Sequence, residues 1–215
     1  KSNVDELTPE EYTKYNYLVN REMIDIEKDI NQSLYADGET GVAHRETVVK
    51  DILRKWDRVS FRGKFHYILA TSSIREAIEY YHLLKDNDQG LFATAVFDPH
   101  TDNESDDIFK DKAVEEILED YGKHFNMKCT VGAYRRFKDD VCARLSHKDP
   151  YKDLDKEREE AINIVIVVNQ LLTGFDSAWI NTLYLDKVIE YEQFIQAVSR
   201  TNRLNGFEKQ YGIIK

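Results

Sequence analysis

The stretch Asn163-Ile164-Val165-Ile166-Val167-Val168 decides the fold. It is an apolar run of strand length, β-branched throughout after its first residue, with no polar alternation. Such a run reads as a strand covered on both faces, which is the habit of parallel sheets. Upstream, Phe65-His66-Tyr67-Ile68-Leu69-Ala70 is a second nearly continuous apolar run. Thr71-Ser72-Ser73 follows it and can cap a helix from Ile74 to about Lys85, with Glu76 in the first turn. Leu91 to Phe97 reads as another strand, followed by the acidic loop Asp98 to Asp107 and a helix from about Ile108 to His124. Gly132 to Leu145 and Tyr151 to Ala161 read as helices. Downstream come a strand at Thr182-Leu183-Tyr184-Leu185-Asp186, a helix from Glu190 to about Arg203, and a last strand within Gln210 to Lys215. Strands alternating with helices predict an α/β domain: a mainly parallel sheet covered on both faces, with ligands met at the carboxyl ends of the strands.

Ahead of this pattern, Thr8-Pro9-Glu10-Glu11 opens a helix that runs to about Leu34. Asp37-Gly38-Glu39-Thr40-Gly41 breaks the period, and a second helix from Val42 to Val59 carries Val48, Val49, Ile52, Leu53 and Trp56. The expected organisation is a helical lead-in over residues 1–60 and the α/β domain over 61–215.

Composition narrows the function classes. Of 215 residues 41% are hydrophobic, enough for one substantial core, and only 9 Gly and 3 Pro argue against long structureless linkers. No apolar run approaches the roughly 18 residues of a membrane span, and Lys1 to Glu11 is too polar for a signal peptide, so a cytoplasmic chain is expected. Cys129 and Cys142 are too far apart for a C-x-x-C pair and read as free thiols. The net charge of −10 is concentrated: Asp98 to Asp120 holds ten acids against two bases, whereas Ala161 to Lys215 holds five of each. Nucleic acid responds to the local field, so a basic groove elsewhere remains compatible with this balance. Asp102 to Asp107 is not a calcium loop, because Asp107 stands where Gly is required and Ala113 where Glu is required. The six histidines are scattered, and no metal site is expected.

Three segments that follow or flank strands carry the chemistry. Thr71-Ser72-Ser73 is either a plain helix cap or an anion site built from backbone N–H groups and the helix dipole. In Asn169-Gln170-Leu171-Leu172-Thr173-Gly174-Phe175-Asp176-Ser177, the Gly and Asp form either a simple turn or a loop that brings a carboxylate to a ribose or a catalytic water. In Gln196-Ala197-Val198-Ser199-Arg200-Thr201-Asn202-Arg203, the two arginines are three apart and so share a helix face, with Phe194, Ile195 and Val198 as the expected buried side. Paired guanidiniums suit a phosphate, whose oxygens they bind bidentately; the alternative is stabilisation of a helix end.

The last segment resembles the closing motif of superfamily-two helicases, Gln-x-x-Gly-Arg-x-x-Arg, with Gln196, Arg200 and Arg203 in register and Ser199 replacing the usual Gly. With Leu171-Leu172-Thr173-Gly174-Phe175-Asp176 and Asn181-Thr182-Leu183-Tyr184-Leu185-Asp186-Lys187, it is similar to the R (restriction and motor) subunit of type I restriction enzymes. Ala178 stands where that family usually has Pro. The resemblance covers about Phe65 to Lys215 and is strongest from Ile162 onward. It implies the second RecA-like domain of an ATP-dependent DNA translocase and endonuclease. ATP and Mg²⁺ would be held mainly by a first motor domain. Arg200 and Arg203 would contact the γ-phosphate and Gln196 would help position them. Gly174 and Asp176, with Thr173, would couple the nucleotide cleft to DNA, and Thr71, Ser72 and Ser73 would touch the DNA backbone. The implied partners are double-stranded DNA, the first RecA-like domain, and the modification and specificity subunits.

No G-x-x-x-x-G-K-[ST] phosphate loop occurs; Gly63-Lys64 runs into Phe65 and has no partner Gly. The chain by itself is therefore expected neither to hydrolyse ATP nor to cut DNA. The competing reading is a non-catalytic RecA-like docking module of a larger DNA-processing complex, with the acidic 98–120 region as its contact surface.

Overall fold

The computed structural model describes residues 39–215 except 86, 88, 99–106, 155, 157, 169–176, 188–190 and 200, with side chains for all of these apart from 39–41, 107, 191–193 and 196. The expected helix over Thr8 to Leu34 lies outside the described residues. The chain divides into two compact units, residues 1–44 and 45–215, and the sheet belongs to the second. The expected boundary at residue 60 falls inside that second unit.

Helix α1 (Glu39–Val59) starts three residues earlier than its apolar period suggests, taking in Gly41. It buries Val49, Ile52 and Trp56, whose spacing puts them on one stripe. Then follow β1 (His66–Thr71), α2 (Ile74–Lys85), β2 (Ala93–Val96), α3 (Asp107–His124), α4 (Tyr134–Ser146), β3 (Ile164–Val168), β4 (Ile180–Asp186), α5 (Tyr191–Ser199) and β5 (Ile213–Ile214). The five strands form one sheet in the order β2-β3-β1-β4-β5, and every pairing is parallel. β1, β2 and β3 are buried at every position, as suits strands that are apolar apart from His66, Thr71 and Thr94.

Helices cover both faces. Tyr67, Leu69 and Thr71 are in register with Thr182, Tyr184 and Asp186, so these six side chains share a face. There Trp56 of α1 packs edge-on against Tyr67 with ring centroids 4.6 Å apart, and the Tyr184 hydroxyl donates to Asp51 at 3.1 Å. Burial alone would raise Asp51, but hydrogen bonds from Lys55, Arg54 and Tyr184 outweigh it and hold the carboxyl at about 2. His66 points to the other face, where its Nε2 lies 2.9 Å from Nε2 of His147, just past α4. His66 Nδ1 is 2.6 Å from the Ile162 carbonyl, which can only accept, so Nδ1 carries the proton and Nε2 accepts from His147. His147 in turn stacks on Trp179 at 3.8 Å.

The expected helix over Tyr151 to Ala161 is absent among the described residues, which form turns and a short 3-10 segment at Arg158–Glu160. Leu154 is the only large apolar residue between Lys152 and Glu160, so a helix here would have no stripe to bury. Arg144 organises the segment instead. It is 2% exposed, lies between the rings of Phe125 (3.6 Å) and Tyr151 (4.1 Å), and pairs with Asp140 and Glu160 at 2.9 Å each. Asp140 also accepts the hydroxyls of Tyr121 and Tyr151, both at 2.5 Å. Cys129 and Cys142 are free thiols, as expected.

Helix α5 reverses its expected orientation. Phe194 and Ile195 are exposed, and Val198 is half-buried, while Ala197 and Thr201 are fully buried. Among the described side chains of the helix Ala197 is the fully buried one, and Thr201, just past the helix, comes close to the chain entering β5. A Cβ at Gly212 would stand 2.6 Å from the Thr201 backbone, so that position admits only glycine without a shift.

Candidate functional site

The strand order creates one switch point. From β1 the chain moves toward β2, and from β4 it moves toward β5, so the connections leaving these adjacent strands diverge. In open parallel sheets the crevice at such a point, at the carboxyl ends of the strands, is where ligands bind. The register partners closing these two strands are Thr71 and Asp186.

Thr71 is fully buried, with its hydroxyl turned toward the carbonyls of Ser73 (3.2 Å) and Val167 (3.4 Å). Ser73 caps α2, its hydroxyl accepting the Glu76 N–H at 3.2 Å. Glu76 folds back so that its carboxylate accepts the Ser72 N–H at 2.9 Å. The two make a reciprocal cap, and the protein's own carboxylate occupies the place at the positive helix end that an external anion would take. Burial pushes the Glu76 carboxyl above its ordinary range; the Ser72 amide opposes that shift and Asp186 adds to it. Ser72 is the exposed member of the three.

Around this cap stand residues that the sequence reading left without a role. The Tyr80 hydroxyl donates to Asp186 at 2.5 Å; burial and the neighbouring Asp186 carboxylate both raise the phenol well above its usual value. Arg45, almost fully buried, pairs with Glu79 at 2.5 Å. Lys187 is half-buried, and burial lowers its ammonium below the usual lysine value against an upward pull from Glu76. The signal for Glu76 was in the Ser-x-x-Glu spacing. Asp186 and Lys187 close the stretch Asn181 to Lys187, but nothing in the sequence tied them to α2.

Of the other expected site residues, Thr173, Gly174, Asp176 and Arg200 lie outside the described residues. Gln196 sits on α5, without a described side chain. Arg203 is described and departs from expectation: α5 ends at Ser199, the Thr201 N–H closes a turn onto the Val198 carbonyl at 3.1 Å, and Arg203 follows in exposed coil. Arg203 therefore does not lie on α5, and Arg200 lies outside the described residues. Thr201, beyond the printed end of the helix, lies against Gly212. No group of three or more metal-ligating side chains occurs among the described residues.

These features define a parallel α/β domain whose switch point carries buried polar side chains and a helix end capped by its own Glu76 carboxylate. Residues 63–215 match the family model for type I restriction enzyme subunit R domain 3, and the chain belongs to that family. A type I restriction enzyme endonuclease subunit of Staphylococcus aureus strain MRSA252 is 31% identical over 177 residues, 79% of this chain and 18% of the relative. A counterpart in Staphylococcus saprophyticus is 29% identical over 178 residues, with the same coverage. The chain thus spans under a fifth of the length of the curated relatives it matches. Among solved structures, the C-terminal part of the Fun30 ATPase domain aligns with 98% of this chain and 54% of its own, at 12% identity and a TM-score of 0.45. Among the described residues no helix is long and apolar enough to cross a membrane.

Proposed function

We propose that this chain is the second RecA-like motor domain of a type I restriction R subunit, which moves double-stranded DNA at the expense of ATP. In this reading Arg200 and Arg203 contact the γ-phosphate of an ATP whose Mg²⁺ and phosphates are held mainly by a first motor domain, and Gln196 helps position them. Thr173, Gly174 and Asp176 couple that cleft to DNA. The Thr71-Ser72-Ser73 segment meets the DNA backbone through Ser72, its exposed member. The observation that carries the reading is the family match over residues 63–215, joined to a strand order that sets Ser72 and Asp186 at one switch point.

Local chemistry supports a contributing role. The positive end of α2 is occupied by Glu76, and the sequence contains no phosphate loop, so a triphosphate has no cradle within the described residues. Arg203 stands on exposed coil beyond α5, where a guanidinium can reach a nucleotide across a domain boundary. The full enzyme would work with modification and specificity subunits, and sequence recognition would belong to the latter. The test is DNA-stimulated ATP hydrolysis by the assembled full-length enzyme carrying Arg203→Ala. Retained ATP binding with turnover lowered by orders of magnitude, as for arginine fingers worth about 10³–10⁵ in rate, is the expected outcome. Unchanged turnover would leave the docking-module reading.

A further inference from the structure

The edge of the sheet opposite the switch point carries a basic and aromatic trough that the motor reading does not use. Its walls come from segments that lead into strands: residues 57–64 before β1, Arg158 before β3, Asn181 at the start of β4, and residues 207–211 before β5. Two hollows of about 460 and 660 Å³ share Arg58, Phe61 and Glu208 and so run together. A six-residue strand separates this edge from Ser72 by about 20 Å.

The smaller hollow gathers Arg58, Arg62, Lys64 and Arg158 against Asp57 and Glu208, a local excess of cations in a chain of net charge −10. Lys64 pairs with Glu208, and Arg158 donates to the Arg62 carbonyl at 2.6 Å. The guanidiniums of Arg58 and Arg62 are exposed and make no hydrogen bond or ion pair among the described residues. Arg58 lies in the last turn of α1, where the negative helix end accounts for a cation. That leaves Arg62 without a structural reason.

The backbone that presents Arg62 is strained. Phe61, Arg62 and Gly63 have successive φ values of 55°, 59° and 82°. Two of these are non-glycine residues, each costing about 1–2 kcal/mol in the left-handed region. The turn is held by the Ser60 hydroxyl, which accepts the Gly63 N–H at 2.8 Å and donates to the Trp56 carbonyl at 2.6 Å. Strain that the surroundings enforce in this way tends to mark working surfaces. Along the larger hollow, Phe207 is 96% and Tyr211 70% exposed. Cations for phosphates beside open rings for bases is the pattern of single-strand binding grooves.

We propose that this trough binds single-stranded nucleic acid, with Arg58 and Arg62 on phosphates and Phe207 and Tyr211 against bases. Arg203 lines neither hollow. The test is binding of a labelled oligothymidine to the full-length subunit across a salt series. Arg58→Gln with Arg62→Gln removes two phosphate contacts, so the slope of log affinity against log salt becomes shallower by about 1.4. Phe207→Ala weakens binding by about tenfold. Arg54→Gln, an exposed arginine of α1 paired with Asp51, is the control and leaves both unchanged. An unchanged slope and affinity in the double variant overturns the proposal. Loss of association with another subunit at unchanged slope also overturns it, and marks the trough as a protein-docking surface.

Discussion

The two edges of the sheet are both polar, but they use their polarity differently. At the carboxyl edge the charges are largely turned inward: Glu76 caps its own helix, Tyr80 holds Asp186, and Arg45 holds Glu79. At the amino edge Arg58 and Arg62 point into an open trough from a strained turn, with no hydrogen bond or ion pair to the described residues. Substitutions at the first edge should therefore cost stability, and those at the second should cost binding alone.

The largest stability effect expected is from Tyr80→Phe. It takes a hydroxyl from a buried carboxylate, and hydrogen bonds to charged groups contribute about 1.5–3 kcal/mol, read as a lower urea midpoint. The pH dependence of folding comes next. Burial, then repulsion from His147, lowers His66 to about 3, and burial lowers His147 to about 4. Both are neutral when folded, whereas in the unfolded chain they take up protons below about pH 6.5. The unfolded state then binds more protons, so this stabilisation is complete above pH 6.5 and is lost as pH falls toward 4. Between pH 6.5 and 5 the loss from His66 alone is about 2 kcal/mol, and His66→Phe should flatten the curve. Ser73→Ala removes a cap at a cost of about 1 kcal/mol. Arg58→Gln with Arg62→Gln should change the urea midpoint by less than about 0.5 kcal/mol, as for surface residues outside any network. A large loss there would mean that the trough is structural, and the contrast between the edges would fail.

The same contrast describes how far the sequence can be read. β1, β3, β4, α2 and α3 were legible within one or two residues, because continuous apolar runs and a Ser-x-x-Glu cap are local signals. The segment from Tyr151 to Ala161 was misread because helix-forming charges outvoted the missing apolar stripe. Its actual organiser, Arg144, bonds residues up to 17 positions away. The orientation of α5 was misread because size suggested that Phe194 and Ile195 pack inward, whereas Ala197 is the buried one, and Thr201 just past the helix meets Gly212. The crevice partners Tyr80 and Asp186 are 106 residues apart and meet only through strand order. The trough was invisible for the same reason: its arginines and aromatics come from three separate stretches.

Arg203 is proposed to act on a nucleotide held by another domain. The most direct test is DNA-stimulated ATP turnover by the assembled full-length enzyme, with ATP affinity measured in parallel, for the native protein and Arg203→Ala. The motor reading predicts retained ATP binding with turnover reduced by about a thousandfold or more. Turnover equal to the native value would contradict it and leave Arg203 as a surface residue of a docking module.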